Sequence, residues 1–151
     1  MSSPTLHPDL VAVAARLAHQ AHAGQFRRDQ KTPYVRHPEA VAQRVVGDCT
    51  AEAVAWLHDV LEDTTTSAEN LRAAGIPDGV IACVQLLTKS DTMDYEAYLA
   101  AIRRDPIARK VKVADMLANL SDRPSEKQIL KYARGLLLLL GETEADPTSP
   151  G

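Results

Sequence analysis

The sequence predicts an all-α protein, a single bundle of about seven or eight helices. Apolar residues recur at spacings of three and four along most of the chain, and no stretch alternates with period two for long. Cap residues, prolines and glycines stand where such helices would begin and end. Because 151 residues is a usual size for one domain, we expect one helical domain over residues 1–140 and a flexible polar tail over residues 141–151.

The first three helices are indicated by their apolar faces and their ends. Apolar positions at helical spacing predict a first helix from residue 9 to about residue 24. The polar, cationic stretch 25–37 is typical of an ordered loop. Pro38 suits the first position of a second helix, which should reach about residue 47. Thr50 is the expected N-cap of the third helix.

Each of the later helices has a recognisable start. The acidic and threonine-rich residues 62–66 are expected to break the third helix. Ser125 followed by Gln128 is a capping-box pattern, which predicts a last helix through residue 140. The other expected starts are, in order, Ser67 for a helix ending at Gly75, Pro77 for a helix reaching about Thr88, and Asp94 and Asp105 for two more.

The composition excludes several classes of function. A formal charge of −3 and a pI near 5.9 give no broad basic field for nucleic acid. The longest leucine run, 136–140, is far shorter than the roughly 20 residues that cross a bilayer. The N-terminus lacks the pattern of a signal peptide. We therefore expect a cytoplasmic protein whose two cysteines, Cys49 and Cys83, are reduced; the oligomeric state is left open.

Four side chains that can bind a metal lie in apolar surroundings. His58 and Asp59 are adjacent in AWLHDVL, and neighbouring side chains on a helix diverge by about 100°. The two side chains can therefore reach one common point only if that point lies off the helix, as a bound metal would. Without further ligands, His58 and Asp59 could equally be a capped or solvent-exposed pair. His37 and Asp115 provide the partners that a buried carboxylate needs. Two imidazoles and two carboxylates favour Mn²⁺, Fe²⁺, Co²⁺ or Ni²⁺ over structural zinc.

Further polar residues share helix faces with this set. Lys112 and Asn119 are spaced three and four residues from Asp115, a stripe that suits a phosphate ester, although a solvated stripe is the alternative. Glu62 and Asp63 follow the His-Asp pair by one turn, where a carboxylate can orient an attacking water and accept its proton. Their alternative role, as acidic residues that merely end a helix, is disfavoured by the helix dipole.

Four segments in order resemble a known family. That family is the HD-domain phosphohydrolases, and within it the hydrolase domain of the stringent-response enzymes that degrade guanosine 3′-diphosphate 5′-di- or triphosphate. The segments are AHAGQFRRD at 21–29, PYVRHP at 33–38, LHDVLEDT at 57–64 and KVADMLAN at 112–119. The resemblance covers roughly residues 10 to 135.

The resemblance implies a site and an activity. The metal ligands would be His37, His58, Asp59 and Asp115, with Mn²⁺ the usual ion, and Glu62 and Asp63 would handle the attacking water. The expected contacts to the nucleotide are Arg27, Arg28, Lys89, Lys112, Asn119 and Tyr132. The expected reaction is hydrolysis of the 3′-pyrophosphate of guanosine tetra- or pentaphosphate, giving GDP or GTP and pyrophosphate.

Two alternatives and two departures accompany this expectation. One alternative is hydrolysis of another nucleotide or phosphate ester. The other is a module that binds the guanosine polyphosphate without turnover, but the complete set of ligands and acidic residues argues against it. Residues 30–32 replace the glycine that the family usually has before Pro-Tyr. Met116 stands where Arg or Lys is usual, which would remove one charge near the phosphates.

Overall fold

Helices account for most of residues 8–141, the part of the chain that the computed structural model describes. Within this part there are nine helical segments and one isolated bridge, between Phe26 and Pro33. The all-α class is therefore confirmed, whereas the predicted tail, apart from Gly141, lies outside the described residues. The segments are α1 (Pro8–Ala21), α2 (Arg36–Gln43), α3 (Cys49–Leu57), α4 (Val60–Asp63), α5 (Ala68–Ala73), α6 (Asp78–Leu87), α7 (Tyr95–Arg103), α8 (Pro106–Leu120) and α9 (Glu126–Leu140).

Most of the predicted caps are present. Ser67 and Ser125 both form capping boxes, and the side chains of Asp94 and Asp105 accept hydrogen bonds from the first turns of α7 and α8. The prediction for α3 was wrong, because Asp48 and not Thr50 caps it, with Asp48 Oδ1 accepting from the backbone of Ala51 at 3.0 Å.

The third helix breaks earlier than the sequence suggested. It ends at Leu57, so His58 and Asp59 form the break themselves, and α4 resumes as a single turn at Val60. Asp59 has φ −101° and ψ −4°, a bridge-region conformation found at turns and at many active-site residues. If α3 and α4 are counted as one interrupted helix, the described chain has eight helices, in agreement with the expected number.

Helix α3 is the centre of the fold. It packs against α1, α2, α6 and α8, and five of its nine residues are buried, three of them alanines. Small side chains let neighbouring backbones approach closely, which suits a helix covered on several sides. The first turn of α2, the α3–α4 break and the middle of α8 consequently meet at one place. No helix among residues 8–141 is long and apolar enough to cross a membrane.

Candidate functional site

The four predicted metal ligands meet where α2, the α3–α4 break and α8 come together. Asp115 Oδ1 lies 2.7 Å from His37 Nε2 and 3.4 Å from His58 Nε2, and all three side chains are buried. Their potential ligand atoms lie within 4.8 Å of one another. Asp59 Oδ2 is at the edge of this group, 3.2 Å from His58 Nε2 and 3.9 Å from His37 Nε2.

The donor set fits a divalent transition metal. His58 Nδ1 donates to the carbonyl of Ala55 at 2.6 Å, which leaves the lone pair of Nε2 for a ligand. His58 Nε2 is buried and has no hydrogen-bond partner among the described residues. Bonds of about 2.0–2.2 Å in tetrahedral or octahedral geometry separate neighbouring donor atoms by about 3–3.5 Å. The observed separations of 2.7–3.9 Å bracket that value.

The electrostatics of the cluster favour a cation. Burial alone would raise the pKa of Asp115, but the ammonium of Lys112 and the hydrogen bond with His37 outweigh burial and hold that pKa well below its usual range. Burial would also raise the pKa of Asp59, but the neighbouring histidines, chiefly His58, outweigh this effect and lower the pKa to about 2. Two carboxylates that stay ionised in a largely dry place require compensating positive charge.

Glu62 and Asp63 lie beside the cluster on α4. The backbone N–H of Lys89 donates to Glu62 Oε1 at 2.8 Å, which fixes this carboxylate. The hydroxyl of Tyr34 donates to Asp59 Oδ2 at 2.5 Å and lies 3.4 Å from Asp63 Oδ2. Partial burial, followed by the charges of Asp59 and Glu62, raises the pKa of Asp63. Tyr34 thus connects one predicted ligand with one predicted proton acceptor.

No protein-family model matches the chain, but individual relatives do. The guanosine-3′,5′-bis(diphosphate) 3′-pyrophosphohydrolase of Xenopus tropicalis is 34% identical over 124 residues, which cover 75% of this chain and 69% of the relative. The chain belongs to this pyrophosphohydrolase family. A solved structure of a metazoan ortholog of SpoT, described as hydrolysing ppGpp, agrees with a TM-score of 0.73 at 25% identity, covering 93% of this chain and 90% of that one.

Two longer bacterial proteins are also similar to this chain. A probable GTP pyrophosphokinase of Mycobacterium leprae is 34% identical over 142 residues, or 85% of this chain and 18% of the relative. The corresponding 3′-pyrophosphohydrolase of Haemophilus influenzae is 33% identical over 129 residues, or 74% of this chain and 19% of the relative. The chain therefore spans about a fifth of the length of these two relatives.

Three of the predicted nucleotide contacts lie around the cluster of His37, His58, Asp59 and Asp115. Lys112 Nζ donates to Asp115 Oδ2 at 2.9 Å, and Asn119 Nδ2 donates to Asp115 Oδ1 at 3.1 Å. Arg27 Nη2 lies 3.4 Å from Asn119 Oδ1 and 3.1 Å from Asp122 Oδ2, with the guanidinium over the ring of Tyr34. Lys112 thus holds Asp115 Oδ2, whereas Asn119 shares Oδ1 with the imidazoles.

The side chains of the other three predicted nucleotide contacts do not touch the cluster. Arg28 is exposed on the loop before α2. Tyr132 is half-buried on α9, where burial and the charge of Asp115 raise the pKa of its hydroxyl. The ammonium of Lys89 donates to the carbonyl of Ser90 at 3.1 Å, so its backbone rather than its side chain is what contacts Glu62.

A cavity of about 650 Å³ opens next to His37. We call it the arginine cavity, because five arginines and two aspartates line it. One wall is the loop before α2, a second is the outer face of α2, and the third is the C-terminal end of α8 with the residues after it. The lining residues are Arg27, Arg28, Asp29, Thr32, Arg36, His37, Ala40, Arg44, Ala118, Ser121, Asp122 and Arg123.

The structure shows where both departures from the family pattern lie and how they are accommodated. Met116 is fully buried, and a Cβ built on Gly135 of α9 would lie 2.6 Å from its Cε. An apolar residue at this position therefore serves the packing of α8 against α9. The loop without the usual glycine is accommodated by Gln30, which adopts φ +61°, and by Asp29, which accepts hydrogen bonds from Lys31 and Thr32.

Several residues of the site were not identified from the sequence. Tyr34 stood in a quoted motif, and its position three residues before His37 could have indicated that both side chains face the same place. Arg36 and Arg44 are eight residues apart with Ala40 between them, a stripe at helical spacing that could have been noticed. Arg123 gave no local signal, because only the tertiary fold brings it to this cavity.

Proposed function

We propose that this protein is a cytoplasmic, metal-dependent hydrolase that removes pyrophosphate from the 3′ position of guanosine tetra- and pentaphosphate. The observation that carries the proposal is the His37, His58, Asp59 and Asp115 cluster in a chain that is 34% identical to a 3′-pyrophosphohydrolase along most of that relative's length. The small-molecule substrate is taken from the names of the relatives. The chemistry of the site agrees with a phosphorylated substrate, because the cationic side chains of Lys112 and Arg27 lie next to the cluster.

The four cluster residues would hold a divalent cation, and we propose Mn²⁺ because mixed imidazole and carboxylate donors suit it. When bound, the ion would supply Lewis-acid chemistry by polarising a phosphoryl oxygen and making a water more acidic. Asn119 and Lys112 fix the orientation of Asp115 by donating to its Oδ1 and Oδ2, respectively. The Nδ1 hydrogen bond to Ala55 fixes the ring of His58. These contacts keep the donors in place before substrate arrives.

Asp63 is the better-placed proton acceptor of the two acidic residues. Its carboxylate lies near the Tyr34 hydroxyl, which in turn contacts Asp59 at the edge of the cluster. Glu62 has one oxygen committed to the amide of Lys89, so we assign it the orientation of the water rather than the removal of its proton. The Arg27 guanidinium, stacked over Tyr34, would bracket the nucleotide on the open side.

The test measures which group is released from which nucleotide. The purified protein is incubated with Mn²⁺ and guanosine tetraphosphate, pentaphosphate, GTP and a simple phosphomonoester, and the products are separated. Pyrophosphate together with GDP or GTP is the expected result. Orthophosphate from the monoester would instead indicate a general phosphatase, and binding of tetraphosphate without turnover would indicate a sensor.

Variants at the two acidic residues separate binding from turnover. Asp63→Asn should keep metal content and KM while kcat falls by roughly 10² to 10⁴, since it removes the base without changing shape. Glu62→Gln should lower kcat less. Glu69→Gln, at an exposed acidic residue of α5, is the matched control and should leave kcat unchanged. Loss of metal from both Asp63→Asn and Glu62→Gln would mean that these residues are ligands.

A further inference from the structure

The turn after α1 contains two polar side chains to which the proposed function gives no role. We propose that Gln25, held by His22 behind it, is a positioning residue that fixes Asp63, the proposed proton acceptor on α4. This inference rests on the proposed function, because it explains how that acceptor is kept in place. It adds an expectation: loss of the Gln25 side chain should slow turnover while metal and substrate are still bound.

The helical segment that ends at Asp63 is too short to hold its own position. Helix α4 has four residues, and a single turn is unstable alone because few hydrogen bonds offset the ordering of its backbone. Its last carbonyl groups also lack partners within the helix. Glu62 is fixed from the segment after α6, by the backbone N–H of Lys89. Asp63 therefore needs a contact of its own from another part of the chain.

Gln25 provides that contact in two ways. Its side-chain Nε2 donates to the backbone carbonyl of Asp63 at 2.8 Å. Its own backbone carbonyl accepts from the N–H of Tyr34, also at 2.8 Å. The hydroxyl of Tyr34 in turn lies 3.4 Å from Asp63 Oδ2. Gln25 therefore holds the backbone of Asp63 directly, and it holds in place the tyrosine that lies next to the Asp63 carboxylate.

His22 fixes the orientation of the Gln25 side chain. The backbone N–H of Gln25 donates to the carbonyl of His22 at 3.0 Å, which closes a turn in which Gly24 has φ +82°. Because Nε2 of Gln25 donates to a carbonyl, Oε1 is the amide atom that faces His22 Nδ1, at 2.8 Å. An amide oxygen can only accept, so His22 Nδ1 carries a proton and donates it to this hydrogen bond.

The burial of His22 favours a positioning role over a purely structural one. The imidazole is 2% exposed and packs against the ring of Tyr34, with the ring centroids 4.8 Å apart. Its Nε2 is buried and has no hydrogen-bond partner among the described residues. A buried polar atom without a partner costs free energy, which an apolar side chain of similar size would avoid. We therefore assign the imidazole to its one hydrogen bond, with Gln25.

The test is a double-mutant cycle that asks whether Gln25 acts through Asp63. KM, kcat and Mn²⁺ affinity are measured with guanosine tetraphosphate for wild type, Gln25→Ala, Asp63→Asn and the double variant. Gln25→Ala should lower kcat about 10- to 100-fold, because misplacing a reacting group by about 1 Å has an effect of this size, while KM and Mn²⁺ affinity stay unchanged. In the Asp63→Asn background, the same substitution should lower kcat no further. Equal factors in the two backgrounds, or a change in KM instead of kcat, would overturn the positioning role.

Variants of His22 test the second hydrogen bond and keep the proposal falsifiable if Gln25→Ala does not fold. His22→Asn should retain most of the wild-type kcat, because its amide can place an N–H near the position of Nδ1. His22→Leu keeps an apolar group of similar size but no donor, and should lower kcat as Gln25→Ala does. Equal kcat values for the two variants would refute the role of His22. Gln85→Ala, at an exposed glutamine of α6, is the matched control and should leave kcat unchanged.

Amide hydrogen exchange tests the same link without turnover. The N–H of Thr64 donates to the carbonyl of Val60 at 3.2 Å, so its exchange rate reports the opening of α4. Exchange at Thr64 should be faster in Gln25→Ala than in wild type or Gln85→Ala, and equal rates in all three would overturn the proposal. Failure of the proposed function is separate, since wild type would then release no pyrophosphate, and the exchange rates would still decide whether Gln25 holds α4 in place.

Discussion

Asp115→Asn offers the sharpest test of the cluster, because the substitution keeps the shape of the side chain and removes its charge. Asp115 Oδ2 accepts from the ammonium of Lys112 at 2.9 Å, and both side chains are largely buried, with 8% and 16% of their surface exposed. Removing one partner of a buried ion pair costs roughly 3–5 kcal/mol. We take the lower end, about 3 kcal/mol, because the Lys112 side chain is not fully buried.

The surface of the protein provides a control ion pair with the same nitrogen-to-oxygen distance. Arg72 and Asp78 are also 2.9 Å apart, but their side chains are 53% and 81% exposed. An exposed pair contributes at most about 1 kcal/mol, so Asp78→Asn should change the free energy of unfolding little. For a chain of this length, a difference of about 3 kcal/mol corresponds to a fall in Tm on the order of 10 °C.

The assay is thermal unfolding of wild type, Asp115→Asn and Asp78→Asn, each in chelator and in excess Mn²⁺. In chelator, Asp115→Asn should unfold well below the other two. Added Mn²⁺ should raise Tm for wild type and Asp78→Asn, by about 2.7 kcal/mol in stability at a hundredfold excess over Kd, and should do little for Asp115→Asn. Equal Tm values in chelator would refute the ion-pair reasoning, and an undiminished Mn²⁺ shift in Asp115→Asn would refute its role as a ligand.

Three further predictions concern the surroundings of the site and the fold. Tyr34→Phe should keep metal content and the stacking of Arg27 but lower kcat about 5- to 50-fold, since it removes the hydrogen bond to Asp59; steady-state kinetics with metal analysis would check this, and lost metal would contradict it. Gly75→Ala should destabilise the protein by about 1–2 kcal/mol because Gly75 has φ +97°, whereas Gly79→Ala on α6, where a Cβ meets open space, should be neutral or stabilising by up to about 1 kcal/mol; denaturant titration would measure both signs. Hydrogen bonds from Thr32 lower the pKa of Asp29 to about 2, so the stabilisation from this carboxylate should be full above about pH 4 and be lost as the pH falls towards 2; the difference between wild type and Asp29→Asn in unfolding free energy should therefore shrink over that range, and a constant difference would contradict it.

Local chemistry made most of the helix boundaries predictable. Ser67, Asp94, Asp105 and Ser125 cap their helices through contacts within three residues, and such contacts are legible in the sequence. The early end of α3 was not legible, because the apolar spacing continues through the break at His58 and Asp59. At this break, tertiary contacts that bring the two side chains to one site outweigh the local preference for a continuous helix.

The residues of the site also divide into those that the sequence could indicate and those that only the tertiary fold brings together. His37, His58, Asp59 and Asp115 could be grouped because ionisable residues in apolar surroundings are conspicuous and because four motifs stood in order. The arginine cavity could not be foreseen, since its walls come from segments whose exposed arginines look individually like ordinary surface charge. Only the approach of the α8 C-terminus to α2, seen in the Arg44 to Ser121 hydrogen bond, brings these charges together.

The break between α3 and α4 sets the distance between the proposed metal site and the proposed proton acceptor. Only His58 and Asp59 separate the two helices, and one inserted residue would rotate α4 by about 100° and shift it by about 1.5 Å relative to α3. The segment 64–67 is irregular and can absorb a change of length, whereas the break cannot without turning Glu62 and Asp63 away from the cluster. Deletions and insertions should therefore be tolerated a few residues after the acidic pair, whereas those before it should abolish the proposed turnover even in a variant that still binds Mn²⁺.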